Sequence, residues 1–237
     1  MGTKWSEIIS EHAMVDINDV RLIERAQMNP ARFYREMALY MKNGIPVFNR
    51  PPEIKQWLEL DMIAPAWGDE VWSSTIESTM EETTVETGMT GYDVFSCVRV
   101  EWLENGEAIE TPYRGASYDA ETGIVTFEAQ DAAGVEYSLE FYRDGEFAHD
   151  LTPTQKRILG LCVASAWDER FFRDWLADVA KAHDRSFEAP NEPQYMEKSV
   201  KKKATNRSLL NEELRKYEQD CAYLNAFRTG NPREVFV

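Results

Sequence analysis

The sequence predicts an α+β fold: a helical bundle formed by the N- and C-terminal segments, with an antiparallel β-sandwich or barrel module inserted between them. Three observations predict it. Apolar residues recur at helical spacing before residue 60 and again after residue 151. Between these stretches the pattern becomes two-residue alternation broken by glycine-containing turns. The acid surplus also sits in that middle stretch, where residues 61–150 hold 21 Asp and Glu against three arginines and no lysine, a net charge of −18. The expected division is a helical body of residues 1–60 and 151–237 and an acidic, β-rich inserted domain of residues 61–150.

The N-terminal part is punctuated for helices. Two short ones are expected within Lys4 to His12 and Asp19 to Met28. In NPARFYREMALYMKNG, Asn29 suits the cap, Pro30 the first helical position and Gly44 a left-handed stop, with Phe33, Met37, Tyr40 and Met41 on one face. Prolines 46, 51 and 52 then favour extended backbone in IPVFNRPP, and a short helix is expected over Pro52 to Leu58.

The middle reads as a meander of five to seven strands. In YDVFSCVRVEW, Tyr92, Val94, Ser96, Val98, Val100 and Trp102 share one face and are mostly apolar. The opposite face, Asp93, Phe95, Cys97, Arg99 and Glu101, is apolar only at its middle, so the first face is expected on the core. ENG at 104–106, DAETG at 119–123, AAG at 132–134 and DG at 144–145 read as hairpin turns.

After the strands, Thr152 suits a cap and Pro153 a first helical position. Ile158, Leu161, Cys162, Ser165, Phe172, Trp175, Leu176 and Val179 follow on one side. A last helix follows the EAPNEP breaker. Its stripe of Leu210, Leu214, Tyr217, Cys221 and Leu224 steps by four and three, which keeps one seam facing a partner.

The candidate chemistry is sparse. His149 beside Asp150 is the best acid/base pair, yet neighbours in extended chain point to opposite faces, which favours a structural corner over catalysis. His12, His149 and His183 are scattered without metal-ligand spacing, and the glycines read as turn or cap residues rather than a phosphate loop. Asp168 and Glu169, near Arg170 and Arg173, read as a solvated charged face. Cys97, Cys162 and Cys221 lack CxxC spacing and read as buried thiols. Trp57, Trp67 and Trp72 read as packing at the module boundary, and Lys201 to Arg207 as a face for an acidic neighbour or for phosphate. No enzyme, cofactor or metal site is expected. The start of the chain lacks the basic and apolar pattern of a leader, and no apolar run reaches the ~18 residues of a membrane span.

Four stretches, GIPVFNRPPEIKQWL, TTVETGMTGYDVFSC, FAHDLTPTQKRILGLCVASAWDERF and LNEELRKYEQDCAYL, together resemble virion structural proteins of tailed bacteriophages. The layout is similar to head-to-tail connector (adaptor) proteins of the phage neck. That resemblance implies a non-enzymatic, homo-oligomeric ring beneath the portal, assembled in the host cytoplasm and carried in the virion. Its partners are the portal and other neck or tail proteins, and DNA passes nearby without being specifically bound. A ring subunit needs two different lateral faces and an axial arm. The seam of Leu210, Leu214 and Tyr217, and a tail carrying Arg228, Arg233, Val235, Phe236 and Val237, are the candidates. An acidic DNA-mimic inhibitor of a host nucleic-acid enzyme, or another tail or baseplate component, are the rival expectations.

Overall fold

The computed structural model describes residues 2–50, 71–76, 83–103, 105–128, 135–183 and 192–229. Among them the chain is mixed α+β, with two small antiparallel sheets and no closed barrel. It divides into two units. Unit 1 comprises Met1–Ile17, Leu39–Asp61 and Phe147–Val237, and unit 2 comprises Asn18–Ala38 and Met62–Glu146.

Unit 1 is helical. Helix α1 (Trp5–Ile8) runs through a π-helical turn (Ile9–Ala13) into α2 (Met14–Ile17), longer than the helix expected to end by His12. This segment packs on α5 (Pro153–His183), which also packs on α6 (Glu192–Thr229). Trp5, Ile8, Ile9, Ala13 and Ile17 are buried, as are Ile158, Leu159, Leu161, Cys162 and Val163 of α5. The start of α5 is a reciprocal capping box: Thr152 Oγ1 accepts from the Gln155 amide at 3.3 Å, and Gln155 Oε1 accepts from the Thr152 amide at 2.8 Å.

Two glycines do different work from that expected. Gly44 keeps right-handed φ and ψ of −77° and −38° instead of the left-handed stop, and a Cβ there would stand 3.0 Å from the Cys162 carbonyl carbon. Gly160, inside α5, lies where a Cβ would stand 2.5 Å from His12 Cβ. Both are points of close backbone approach between helices, a use of glycine that turn chemistry does not reveal. Ile45–Val47 is a 3-10 turn, where extended backbone was expected; the extended reading from Pro51 and the helix over Pro52 to Leu58 lie outside the described residues.

Unit 2 holds α3 (Val20–Met28), residues 30–38 of α4 (Pro30–Gly44) and seven strands. These are β1 (Val71–Ile76), β2 (Thr83–Glu86), β3 (Val94–Trp102), β4 (Ala108–Pro112), β5 (Ala116–Asp119), β6 (Ile124–Phe127) and β7 (Val135–Tyr142). Residues 18–38 thus group with the strands rather than with the helical body. The physical reason is the pinning of α4 to a sheet by Arg32 and Ala31, described below. Asp19 caps α3 by accepting from the Arg21 amide at 2.8 Å, and Asn29 caps α4 by accepting from the Arg32 amide at 3.0 Å.

The strands are not a meander. One sheet has the order β1-β7-β3-β4 and the other β2-β6-β5, all pairs antiparallel. Gly106 and Gly123 adopt φ of 81° and 71° in the expected turns. The Asp144–Gly145 dipeptide follows the last strand and joins no hairpin, while the AAG turn lies outside the described residues. Both sheets contribute to one aromatic core: Tyr92, Cys97, Val125, Phe127, Tyr137, Leu139 and Phe141. Phe127 meets Tyr137 at 5.2 Å and Tyr118 meets Phe141 edge-on at 5.1 Å between ring centroids.

Both faces of β3 are buried at its middle, with Cys97 at 6% exposure on one and Ser96 and Val98 at 5% and 2% on the face expected to be buried, and both become exposed at Glu101 and Trp102. The Cys97 face, expected to be only half-covered, enters the shared core. A short central patch of apolar residues, Phe95 and Cys97, is enough to fill a core whose bulk comes from the aromatics of other strands.

Candidate functional site

The corner after β7 is built on Thr3. Its carbonyl accepts from the Phe147 amide at 2.9 Å, and its amide donates to the His149 carbonyl at 3.2 Å. Its hydroxyl donates to Asp150 Oδ1 at 3.0 Å and accepts from the Leu151 amide at 2.8 Å. Lys156 Nζ lies 2.7 Å from Glu7 Oε1 and 3.5 Å from Asp150 Oδ1. The Thr3 hydroxyl first, and then Lys156, hold the Asp150 carboxyl below its ordinary pKa. The His149 main chain and the Asp150 side chain are thus bound to Thr3. Among the described residues no bond joins this carboxylate to the imidazole. The arrangement suits a strand-to-helix corner, and Thr3, buried at 1% exposure, is the residue that sequence reasoning missed.

The expected seam of α6 is occupied within unit 1. Leu210, Leu214 and Tyr217 are buried at 4%, 6% and 9% exposure. Tyr217 accepts from Gln155 Nε2 at 2.9 Å and meets Phe48 edge-on at 5.6 Å. A stripe stepping by four and three has no way of saying whether its partner belongs to the same chain. These three side chains are therefore core, a correction to their reading as a lateral face. Arg228 falls at the end of α6 with its side chain outside the described ones; Arg233, Val235, Phe236 and Val237 lie outside the described residues altogether.

Asp168 also departs from expectation. It is buried and accepts from Asn206 Nδ2 at 2.9 Å, whereas Glu169 is exposed. Burial pushes the Asp168 carboxyl above its ordinary value, against the Asn206 hydrogen bond and the Lys202 and Lys203 charges. The signal was present: position 168 continues the 158, 161, 165 spacing of the apolar side. Nearby, Arg157 Nη2 donates to Asp16 Oδ1 at 3.0 Å and Lys202 Nζ donates to the Ile17 carbonyl. The exposed remainder of this stretch includes Val200 at 43%, Lys201, Ala204, Arg207 and Leu209 at 37%. Lys201 is ion-paired with Glu197 at 2.6 Å, and Leu209 lies on the opposite side of the helix from Val200.

Unit 2 carries most of the acidic middle stretch. Its most deeply buried carboxylate, among the described residues, is Glu140 at 1% exposure, on the β7 position paired with Ser96. Arg32 meets it twice, Nη2 to Oε1 at 2.5 Å and Nε to Oε2 at 3.4 Å, and Arg35 lies at 3.9 Å. Arg32 also reaches Glu110 at 3.2 Å, and the Ala31 amide donates to Ser96 Oγ at 2.8 Å. Burial opposes the Arg32 charge, and the Glu140 and Glu110 carboxylates together more than offset this, leaving its pKa raised. The first turn of α4 is thereby fixed to the outer face of the four-stranded sheet.

Beyond that clamp the β3–β4 hairpin projects. Strand β4 ends the sheet, with β3 on one side and an open edge on the other, and all five of its residues are exposed. The hairpin exposes Trp102 at 63%, Leu103 at 41% and Ile109 at 45%. Glu101, Glu107 and Glu110 are interleaved with them, and the Trp102 indole N–H donates to Glu136. Of the three arginines in the acidic block, Arg143 donates to the Gly91 and Thr90 carbonyls and lies over Tyr92, and Arg99 reaches Glu101 at 3.5 Å. Glu101 and Glu110 of the hairpin are thus each paired with an arginine, Arg99 and Arg32, and Glu107 accepts from Asn105.

A cleft of about 300 Å³ opens between α3, the start of α4 and β3 to β5, lined by Met28, Pro30, Phe95, Cys97, Tyr113 and Arg114 among others. Burial pushes the Cys97 thiol up to about 12, which keeps it protonated and poorly nucleophilic. No group of three or more His, Cys, Asp or Glu side chains is arranged to hold a metal ion among the described residues. No helix among them is long and apolar enough to cross a membrane. Trp57 and Trp67 lie outside the described residues, and Trp72 falls in β1. Comparison with known protein families, with curated proteins and with solved structures finds no match.

Proposed function

We propose that this chain is a non-enzymatic virion component of a tailed bacteriophage, a head-to-tail connector (adaptor) subunit that assembles into a ring and docks on the portal. The observation that carries the reading is the segregation of the molecule. Both flanks of the chain contribute to one helical unit, while the strands and 19 of the 21 carboxylates of residues 61–150 belong to the other, whose net charge is −15. In this reading the helices of unit 1 form a bundle and the two sheets form a sandwich. The acidic unit keeps passing DNA from adhering, because a surface rich in carboxylates and poor in cations repels the phosphate backbone. The segment 228–237, with Arg228, Arg233, Val235, Phe236 and Val237, is the arm that reaches the portal. The protein works in the virion after assembly in the host cytoplasm, with neck or tail proteins as neighbours and with neither cofactor nor membrane.

Mass measurement of the purified full chain, alone and mixed with a portal, tests the reading. Ring-sized species alone or on the portal support it; a chain that stays monomeric in both settings overturns it. Deleting residues 228–237 tests the arm, and unchanged portal binding after the deletion removes that part. A second reading, an acidic DNA mimic, draws on the same carboxylate-rich hairpin and predicts salt-sensitive binding to a host nuclease or polymerase.

A further inference from the structure

The cleft between α3, the start of α4 and β3 to β5 lies wholly within unit 2, and its chemistry departs from that of the unit around it. We infer that it is a binding site for a small monocarboxylic acid with an aromatic body, held by Arg114. The inference goes beyond the ring reading and does not depend on it.

The cleft exists because two neighbouring strands part company. Strand β4 ends at Pro112, and its pairing with β3 closes on the bond from the Tyr113 amide to the Cys97 carbonyl at 2.9 Å. The chain then turns away into β5 of the other sheet, while β3 extends back to Val94. Backbone groups alternate between the two edges of a strand. The Phe95 amide and carbonyl therefore lie on the same edge as the Cys97 carbonyl, at a point that β4 no longer covers. Ala26 to Met28 at the end of α3, with Pro30, form the facing wall. The bond from the Ala31 amide to Ser96 Oγ at 2.8 Å ties this wall to β3, so the space is built into the fold.

The lining defines the ligand. It is mostly apolar, with Met28, Phe95, Pro112 and Tyr113 in it, and Met28 is left exposed. No Asp or Glu lines it among the described residues, although the unit carries a net charge of −15. Arg114 is the charged lining residue. Of the three arginines in the acidic block, it is the one that has neither hydrogen bond nor ion pair among the described residues. A guanidinium without a carboxylate of its own offers a planar pair of N–H donors, the fork that fits a carboxylate. The field of the unit sets the charge: one guanidinium balances a single negative charge, and a second would meet the surrounding carboxylates unbalanced. A phosphate monoester is thus the poorer ligand. The Phe95 and Tyr113 rings and the Met28 thioether suit an aromatic body, and a volume of about 300 Å³, at the small end for ligand sites, suits an acid of one ring.

Hydrocinnamate, a phenyl ring and a carboxylate joined by a short alkyl chain, is the probe, added to the full chain with isotope-labelled methionine methyl groups. A saturable shift of the Met28 methyl signal, assigned with Met28→Leu, is expected at millimolar probe or below. The neutral hydrocinnamamide is expected to bind at least ~10-fold more weakly, the usual worth of hydrogen bonds to a charged group. Phenyl phosphate is expected to bind more weakly than the acid. Arg114→Gln removes no hydrogen bond or ion pair among the described residues and is expected to fold, as circular dichroism checks. It should weaken the acid by the same ~10-fold and leave the amide unchanged. Ala26→Leu, which narrows the cleft from the α3 wall, should weaken acid and amide alike. No Met28 shift at ~10 mM probe overturns the site. Equal binding of acid and amide, or of the acid by wild type and Arg114→Gln, overturns the assignment of a carboxylate to Arg114. None of these outcomes bears on ring assembly, which the mass measurement reads separately.

Discussion

Replacing Gly160 by alanine tests the packing of the N-terminal segment on α5. On helix propensity alone the change stabilises by ~1 kcal/mol, since glycine is the weaker helix former. The packing predicts the opposite. The new Cβ would stand 2.5 Å from His12 Cβ, 3.0 Å from His12 C and 3.1 Å from Ala13 N. Carbon atoms settle near ~3.5–4.0 Å, so the π-helical turn must retreat by roughly 1 Å. Two of the three obstacles are main-chain atoms and have no rotamer in which to escape. Overpacking of this kind costs about 1–3 kcal/mol. With backbone in the way the upper end applies, and the net expectation after the propensity gain is a loss of about 2 kcal/mol. Urea unfolding followed at 222 nm reads helix, most of which lies in unit 1. With a slope of ~2 kcal/mol per molar, the midpoint falls by about 1 M. A midpoint equal to or above that of the wild type refutes the reasoning, because the N-terminal segment then does not lie against α5 at this point.

Three other outcomes follow from the same geometry. Glu140→Gln leaves Arg32 and Arg35 without their buried countercharge; with the Arg32 side chain 37% exposed the loss is about 2 kcal/mol rather than the ~3–5 of a fully buried pair, read by chemical denaturation. Folded protein treated with a thiol reagent near pH 8 is expected to release signal from Cys221 first, since burial pushes Cys97 and Cys162 up to about 12 and leaves roughly one in ten thousand ionised; fast reaction of all three without denaturant contradicts their burial. Asp168 has a carboxyl raised by burial, so the native state holds its proton more tightly than the unfolded chain, and this residue's contribution to stability falls as pH rises from its unfolded value through its folded one. Asp168→Asn is accordingly expected to match or exceed wild-type stability at pH 7 and to lose that advantage toward pH 4, measured by melting across the pH range.

The local grammar of the chain was legible because each signal names its own structure. Thr152 with Gln155, Asp19 and Asn29 all cap where side-chain chemistry predicts, and Pro30 and Pro153 open their helices. What could not be read was which surface meets which. The stripe through Leu210, Leu214 and Tyr217 gave the buried face of α6 correctly, but not that its partners are Phe48 and Gln155 of the same unit. Residues 18–38 look like any amphipathic helices, and it is long-range contacts such as the Arg32–Glu140 clamp, across 108 residues of sequence, and the Ala31–Ser96 bond that assign them to the sheets. The strand order also escaped, because β1 pairs with β7 and local turns say nothing of so distant a neighbour. For the candidate surfaces the charge block was visible from composition, while the exposure of Trp102 and the burial of Asp168 depended on tertiary neighbours.

The bond from Thr3 to Asp150 closes a loop of 147 residues, and this sets an order of events on the ribosome. The first helical segment emerges with Trp5, Ile8 and Ile9 ready for burial, yet the surface that covers them is encoded after residue 153. At ~5–20 residues per second that surface arrives on the order of ten seconds later. The wait is shared, because the four-stranded sheet also stays incomplete until its central strand β7, residues 135–142, has emerged.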